Sequence, residues 1–256
     1  FDDLMQEACI LTKAGHRELI LTGVNIGTYQ HEERGIKEVV AALMELPDLE
    51  RLRISSIEPT TIPDEIVQWM AEGTKLCRHL HVPIQSGSDQ VLFKMNRRYK
   101  AAEYREFMED AHCLIPDVCL GTDVMVGYPT ETDALFEETY KLLLDLPLAY
   151  FHVFSYSERE LAKSSVLGPP LEKRVVAERS RRLRELSMRK RRMFMESQLG
   201  QTVNVLFEQQ KDTGWSGHTD NYMQVMVEAP NQDLANCNRQ VHLQKVKGSA
   251  IIGALA

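Results

Sequence analysis

The chain has 256 residues, of which 43% are hydrophobic and 26% are charged, and its formal net charge at pH 7 is −7. This size and composition predict a globular protein with one large core, or with one core and a small additional domain. No run approaches the roughly eighteen apolar residues of a membrane span, and the acidic, amphipathic start FDDLMQEACILTKAG is not typical of a signal peptide. We therefore expect a cytoplasmic protein with no membrane partner.

The cysteines and histidines do not predict a metal site. The five cysteines are odd in number and have no Cys-x-x-Cys spacing, which indicates a reducing compartment without a disulfide framework. His79 and His81 share one face of an apolar run, but no cysteine or third histidine is spaced to complete a ligand set with them. We expect these two residues and His152 to line a core or a pocket, and no metal to be bound by this chain.

Helical periodicity over residues 3–14 leads into the first of five short apolar runs that each end in small and polar residues. The runs are ELILTGVNIG (18–27), LRISSIEP (52–59), HLHVPIQSGS (79–88), LGTDVMVGYP (120–129) and YFHVFSYS (150–157). Helical patterns occur between them at 35–46, 63–72, 88–96, 101–114 and 131–146. Repeated strand–helix units of this kind predict an α/β fold with a parallel sheet. Ligands bind outside the carboxyl ends of such strands, where this sequence places its polar residues.

Two of the predicted helices begin with capping residues. Ser88 is followed by Asp89, and Thr130 is followed by Glu131 and Asp133. These residues place oxygen acceptors and negative charge at the positive end of a helix. We expect Ser88 and Thr130 to be the caps.

A basic segment follows the strand–helix units. Residues 172–192 contain ten Lys or Arg and three Glu, although the chain as a whole is acidic. The spacing of the apolar residues predicts one long amphipathic helix with an arginine-rich face. Two interpretations remain open, a solvated helix face and a surface that contacts the phosphates of a nucleic acid. The second predicts RNA contacts at Arg181, Arg182, Arg191 and Arg192.

After residue 198 the pattern changes to short alternating runs separated by Gly-, Asn- and Asp-rich turns. We predict that residues 199–256 form a small all-β module, separate from residues 1–198. The module has four basic and five acidic residues and therefore no basic patch. If it contacts nucleic acid, stacking and polar groups would do so, chiefly Trp215 and Tyr222, with His218 and Asn221.

The ends of the first two apolar runs carry candidate ligand contacts. The segment TGVNIG contains Gly23, where the backbone can approach a ligand closely, and Asn25, which offers a donor and an acceptor. It is not the glycine fingerprint of a dinucleotide site. The next run places Ser55 and Glu58 at its end, and Glu58 suits an ammonium group or ribose hydroxyls.

The later runs add further polar groups. Gln85 and Ser86 lie at the end of the third run, and the segment KMNRRYK contributes Arg97 and Arg98, which can bind a carboxylate or phosphate bidentately. Asp123 lies within an apolar strand and needs a partner, either a hydrogen-bond node of the protein or a ligand. No Ser-His-Asp, HExxH or P-loop pattern occurs, which indicates that a cofactor performs any difficult chemistry.

The motifs LTGVNIG, RISSIEP, HVPIQSGSD, MNRRY, GTDVMVGYP and HVFSYS occur in this order. Over about residues 3–198 the sequence resembles the radical S-adenosylmethionine methylthiotransferases, and most closely the branch that modifies threonylcarbamoyladenosine in tRNA. The C-terminal module resembles the TRAM domain that follows the catalytic barrel in this family. The branch acting on isopentenyladenosine usually has a Ser-His-Pro-like ending in place of SSIEP.

The resemblance implies a partial TIM-like (βα) barrel without its first strand, followed by a TRAM-like RNA-binding domain. It implies S-adenosylmethionine and 4Fe–4S clusters as cofactors, with tRNA and an electron donor as partners, and leaves the oligomeric state open. The reaction would add a methylthio group at adenine C2. The family's CxxxCxxC cluster loop and N-terminal domain have no counterpart here, so we expect this chain to be part of a longer protein that carries the cluster ligands elsewhere.

The resemblance also implies roles for the candidate residues in binding S-adenosylmethionine. Gly23 and Asn25 would contact its methionine portion, Arg98 its carboxylate, and Gly127 with Val126 its adenine. The remaining contacts, to the amino acid, the ribose or the same pocket, would be Ser55, Glu58, Gln85, Ser86 and Asp123.

The chain departs from the family pattern in two places. The usual Pro-Gly-Glu-Thr is Pro129-Thr130-Glu131-Thr132, and the usual Arg-Pro-Gly-Thr is Arg159-Glu160-Leu161-Ala162. Two other functions stay open, a sister methylthiotransferase acting on isopentenyladenosine and a catalytically inert RNA-binding protein on the same scaffold.

Overall fold

Five strands with intervening helices make up the larger part of the computed structural model, which describes residues 1–158, 167–168, 170–211, 214–229 and 232–256. In chain order the elements are α1 (Asp2–Lys13), β1 (Glu18–Leu21), β2 (Gln30–His31), β3 (Arg34–Gly35), α2 (Ile36–Met44), β4 (Arg51–Ile54), α3 (Asp64–Ala71), β5 (His79–His81), α4 (Asp89–Lys94), α5 (Ala101–Leu114), β6 (Cys119–Val126), α6 (Asp133–Asp145), β7 (Tyr150–Ser155) and α7 (Lys173–Ser197). Among the described helices, none is both long enough and apolar enough to cross a membrane. The segment 159–162, where the sequence departs from the family pattern, lies outside the described residues.

The five main strands run parallel and in chain order. β1 pairs with β4, β5 with β6, and β6 with β7. A bridge between Leu52 and Leu76 joins β4 to the segment before β5, and the N–H of Ile57 donates to the carbonyl of His81 at 3.1 Å. The predicted parallel sheet is therefore confirmed. Because all five strands point the same way, their carboxyl ends form one edge, called here the strand rim.

Only one face of this sheet is covered by helices. In β4, Leu52 and Ile54 are buried in the hydrophobic core, whereas Arg51 and Arg53 alternate with them and lie on the opposite face. The same alternation puts Leu80 in the core and His79 on the other face. A doubly wound sheet would have helices on both faces. Coverage of one face is the arrangement of a (βα) barrel wall, whose inner face is free of helices.

The cap of α6 differs from the prediction. Thr132 precedes the helix, and its Oγ1 accepts a hydrogen bond from the N–H of Leu135 at 3.3 Å. Thr130 is not the cap, because the helix begins at Asp133, and it adopts a left-handed φ of 90° instead. Ser88 stands at the N-cap position of α4 as predicted, but its hydroxyl makes no capping bond.

The C-terminal residues form a closed five-stranded β barrel. Its strands are β8 (Thr202–Lys211), β9 (Gly214–Thr219), β10 (Gln224–Glu228), β11 (Asn238–Lys247) and β12 (Ala250–Leu255), in the spatial order β10-β12-β11-β8-β9. Alternating apolar residues such as Val205, Phe207 and Val225 fill its core. The predicted all-β character is confirmed. The boundary at 198/199 and the likeness to a TRAM domain stay predictions.

The C-terminal barrel packs against the amino-terminal end of the parallel sheet. Arg51 donates to the carbonyls of Asn204 at 2.8 Å and His218 at 2.9 Å. Arg53 donates to the carbonyl of Asp220 at 2.9 Å. Since these arginines stand at the start of β4 and on its inner face, the barrel covers the end of the sheet that is opposite the strand rim.

Candidate functional site

The strand rim brings together residues that are far apart in the sequence. The N–H of Ser55, which follows β4, donates to the carbonyl of Leu21 at the end of β1 at 2.9 Å. The N–H of Gln85, which follows β5, donates to the carbonyl of Asp123 in β6 at the same distance, 2.9 Å. These contacts place on one edge the predicted residues that follow four strands, namely Gly23, Asn25, Ser55, Glu58, Gln85 and Gly127.

Two amide side chains on the rim have capacity for a ligand. The Oδ1 atom of Asn25 is buried and has no hydrogen-bond partner among the described residues. Gln85 is held in the left-handed region, with φ 69°, and its backbone carbonyl accepts from the N–H of Met125 at 2.8 Å, while its side chain bonds to no described residue. A buried acceptor without a donor is unfavourable. These unused groups are available to a polar ligand that supplies hydrogen-bond donors.

An ion pair on the rim supplies both kinds of charge. Arg97 Nη1 lies 2.6 Å from Glu58 Oε1, and both side chains are partly exposed. Arg98, the predicted carboxylate contact, is exposed and forms no hydrogen bond or ion pair with the described residues, so its role stays a prediction. A zwitterionic ligand would find a counter-charge here for its carboxylate and another for its ammonium group.

Two of the predicted contacts are turned away from the rim. Ser86 is 1% exposed, and its hydroxyl lies 3.2 Å from that of Thr139 in α6. Val126 is fully buried in the helix-covered core. Neither side chain is available to a ligand, because Ser86 packs against α6 and the alternation of β6 points Val126 towards the helices. Gly127, with φ 81°, donates its N–H to the carboxylate of Glu131 at 2.6 Å.

The inner face of the sheet carries a cluster of rings and one carboxylate. His81 Nε2 lies 3.0 Å from Asp123 Oδ1, so a protein group stands within hydrogen-bonding distance of this carboxylate. The hydroxyl of Tyr150 lies 2.9 Å from His79 Nε2 and 3.3 Å from His81 Nδ1. Burial lowers the pKa of His79 to about 3, so this ring is neutral at neutral pH. His152 stands beside His81, with ring centroids 5.7 Å apart. The three histidines line this face as expected.

Most of the arginines predicted to bind RNA are paired with carboxylates. Arg181 lies 2.7 Å from Glu178 and 2.6 Å from Glu185. Arg182 pairs with Glu137 at 2.6 Å, and Arg192 pairs with Glu196 at 2.8 Å. Arg191 differs from these three, because it forms no ion pair with a described residue.

A cavity of about 300 Å³ lies between α7, the beginnings of β6 and β7, and the C-terminal barrel. Arg191, His152 and Tyr222 are among its lining residues. Tyr222 is 44% exposed and stacks on His218, with ring centroids 5.2 Å apart. Trp215, the other predicted stacking residue, is 6% exposed and donates its indole N–H to the carbonyl of Gln232 at 2.8 Å. Trp215 is therefore a core residue without a face for a base, because its strand position points into the barrel.

The fold and the rim agree with a family comparison. The family model described as the Radical SAM superfamily matches residues 1–143, which include β1, β4, β5 and β6. The chain belongs to the radical SAM superfamily. A solved structure of coproporphyrinogen III oxidase from Escherichia coli, described as a radical SAM enzyme, aligns with a TM-score of 0.58 over 96% of this chain and 59% of that chain, at 14% identity. This likeness shows the radical SAM fold.

Relatives of this superfamily member have names that refer to the methylthio modification of tRNA. Threonylcarbamoyladenosine tRNA methylthiotransferase MtaB of Rickettsia prowazekii is 33% identical over 222 residues, which is 85% of this chain and 52% of the relative. The tRNA-2-methylthio-N(6)-dimethylallyladenosine synthase of Agrobacterium fabrum is 35% identical over 210 residues, which is 80% of this chain and 46% of the relative. The resemblance inferred from the motifs is confirmed. The chain spans about half the length of the curated relatives it matches.

Superfamily membership implies S-adenosylmethionine and a 4Fe–4S cluster. The unpaired amides and the Arg97–Glu58 pair fit the first. For the second, the described residues contain no group of three cysteines. Burial also raises the pKa of the Cys77 and Cys119 thiols to about 12, which disfavours the thiolate that an iron ligand requires. The residues described here therefore fit the cofactor and do not fit a cluster.

Proposed function

We propose that this chain is the cofactor-binding and RNA-binding part of a tRNA methylthiotransferase that modifies C2 of N6-threonylcarbamoyladenosine. The observation that carries this proposal is the superfamily match over residues 1–143, the region that builds four of the five strands and their rim. The names of the relatives supply the tRNA and the reaction class. The ending SSIEP of the second apolar run favours the threonylcarbamoyl branch.

In this proposal S-adenosylmethionine, when bound, supplies the radical chemistry. The protein residues bind and orient it. Arg97 binds the carboxylate of its methionine portion, and Glu58 and the Oδ1 atom of Asn25 accept from its ammonium group. Gln85 contacts the ribose, and the backbone at Gly127 packs against the adenine. The contribution of the chain is positioning and the exclusion of water.

A second substrate has specific support. The relative from Agrobacterium fabrum, whose name contains dimethylallyladenosine, is 35% identical to this chain. That value is as high as the identity to the threonylcarbamoyladenosine enzyme of Rickettsia prowazekii, 33%. The two substrates differ only in the group on N6, so the same rim serves either one.

Deleting the gene and measuring the modified nucleosides of total tRNA tests the proposal. We expect the 2-methylthio derivative of N6-threonylcarbamoyladenosine to disappear, while its precursor remains and the dimethylallyl derivative is unchanged. Loss of the dimethylallyl derivative alone would assign the sister substrate. If every methylthio nucleoside keeps its level, the enzyme proposal is wrong and an inert RNA-binding protein is favoured.

The cofactor assignment can be measured separately in the complete protein. We expect Asn25→Ala and Gln85→Ala each to weaken S-adenosylmethionine binding about three- to tenfold, because each removes one hydrogen bond to the ligand. Gln90→Ala is the matched control, since Gln90 is an exposed amide on α4. Calorimetric titration gives the affinities, and unchanged binding in both rim variants would remove the assignment.

The RNA surface can be tested by salt dependence. Arg191→Gln is expected to weaken tRNA binding and to reduce the slope of log K against log salt by roughly 0.7–0.9, the value for one phosphate contact. Arg181→Gln is the control, because two glutamates already pair with that guanidinium. Because Arg181, Arg182 and Arg192 are already paired with glutamates, changing them together with Arg191 should weaken binding little more than Arg191→Gln alone. An unchanged slope in the fourfold variant would assign this face to solvent.

A further inference from the structure

A group on the inner face of the sheet has the composition of a metal site. One side chain comes from each of three neighbouring parallel strands, His81 from β5, Asp123 from β6 and His152 from β7. One ligand atom of each lies within 4.8 Å of the others, and within the described residues this is the one group of three such side chains. We propose that His81, Asp123 and His152 bind a divalent first-row transition-metal ion, with Zn²⁺ as the best fit.

The register of the strands explains why these side chains meet. Asp123 and His152 are directly opposite each other in the β6–β7 pair, so both project from the same level of the sheet. His81 pairs with Gly121, which has no side chain. A Cβ atom at Gly121 would lie 2.6 Å from the hydroxyl oxygen of Tyr150, so only glycine lets Tyr150 extend across β6 to the histidines. The site is thus built on regular strands and not on loops.

The second nitrogen of His81 is positioned as in a metal ligand. Its Nδ1 lies 3.3 Å from the Tyr150 hydroxyl, while its Nε2 faces Asp123. In metal-binding histidines, the ring nitrogen that does not coordinate the ion usually hydrogen-bonds to another group. That hydrogen bond fixes the tautomer and the orientation of the ring. Tyr150 therefore leaves Nε2 of His81 for the ion.

His152 distinguishes a metal site from a simple His–Asp hydrogen bond. Neither of its ring nitrogens bonds to a described residue, although the ring stands beside both His81 and Tyr150. A His–Asp pair alone would not need this third group. Arg191 lines the same cavity as His152, and its positive charge disfavours a bound cation there. The negative charge of the Asp123 carboxylate offsets that of Arg191.

The chemistry of the donors favours a transition-metal ion over Mg²⁺ or Ca²⁺. Two imidazoles and one carboxylate suit Zn²⁺ or Fe²⁺, whereas Mg²⁺ and Ca²⁺ prefer oxygen donors throughout. Three protein ligands leave at least one position open towards the inner face. The backbone carbonyl of Asp123 accepts the N–H of Gln85, a rim residue, so the site lies on the inner face directly beside this part of the strand rim. The proposal does not rest on the proposed function, and it assigns Asp123 to a metal and not to S-adenosylmethionine.

Titration with Zn²⁺ and with Co²⁺ tests this site in the chain purified without a histidine tag and stripped with a chelator. We expect one ion to bind per chain, with a Co²⁺ absorption spectrum typical of nitrogen and oxygen ligands. Asp123→Asn and His152→Gln should each weaken Zn²⁺ binding at least tenfold. His112→Gln is the control, because His112 is an exposed histidine on α5 and should leave the affinity unchanged.

The Zn²⁺-binding test remains interpretable even if one of the two variants does not fold. Since His152 is exposed, His152→Gln should keep the circular dichroism spectrum and melting temperature of the parent chain. Zn²⁺ affinity that is equal in His152→Gln, Asp123→Asn and the parent chain overturns the proposal, and so does a Co²⁺ spectrum of the hydrated ion. S-adenosylmethionine affinity plays no part in this test, so it can fail while the proposed function stands.

Discussion

Replacing Arg53 with alanine is expected to lower the free energy of unfolding by about 3–5 kcal/mol, the usual effect of breaking a buried ion pair. The Arg53 side chain is almost fully buried, and its Nε atom lies 2.8 Å from Glu18 Oε1. Its Nη1 atom donates to the carbonyl of Asp220 at 2.9 Å. Alanine would leave this carbonyl without its donor and the Glu18 carboxylate with only the longer contact to Arg51 Nη1, at 3.7 Å.

The two tryptophans allow this effect to be followed in each part of the chain. Trp69 lies in α3 on the parallel sheet, and Trp215 lies in the C-terminal barrel. In urea titrations of Trp69→Phe and Trp215→Phe backgrounds, fluorescence reports one part at a time. Because Arg53 connects β4 to the barrel, we expect Arg53→Ala to lower both midpoints and to separate them.

Arg17→Ala is the matched control for Arg53→Ala. Arg17 pairs with Glu50, but both side chains are substantially exposed. Exposed pairs contribute about 0–1 kcal/mol. If the Arg53 variant loses no more stability than the Arg17 variant, the contacts between the sheet and the barrel are not the stabilising interaction inferred here.

The extent to which the sequence predicts this fold depends on how local each signal is. The helix predicted at 101–114 coincides with α5, because its periodicity, start and end are all local. The run at 79–88 yields a strand of only three residues, His79–His81. Pro83 cannot donate to a ladder, and Gln85 takes a left-handed φ of 69°. Apolar composition alone therefore overestimates the length of that strand.

In the candidate site, too, local features can be predicted from the sequence, whereas features that depend on turns and strand register cannot. The position of the rim follows from strand direction, which the strand–helix repeat already indicates. Which of two adjacent arginines meets Glu58, or whether Trp215 points into a barrel, depends on turns and registers that the periodicity does not encode. The group of His81, Asp123 and His152 was also missed, because histidine and cysteine spacing does not reveal an aspartate opposite His152 on the next strand.

A second buried ion pair couples the turn after β6 to α7, and we expect its loss to depend on pH. Arg179 Nη1 lies 2.9 Å from Glu131 Oε2, and both residues are 5% exposed. The same carboxylate accepts the N–H of Gly127 at 2.6 Å. Arg179→Ala should lower the free energy of unfolding by about 3–5 kcal/mol at pH 7. Arg182→Ala, which removes an exposed pair with Glu137 on the same helix, should cost less than about 1 kcal/mol.

The sign of the pH dependence follows from Glu131. Burial raises its pKa above the ordinary value, and the hydrogen bond from Gly127 and the charge of Arg179 act in the opposite direction. Without Arg179 this pKa rises further, so the folded state holds a proton at pH values where the unfolded state has released it. Stability then falls as pH rises. Urea titrations of Arg179→Ala and the parent chain should therefore show a deficit that is larger at pH 7 than at pH 4.5. A deficit that is equal at both pH values would show that Glu131 is not the group left unpaired.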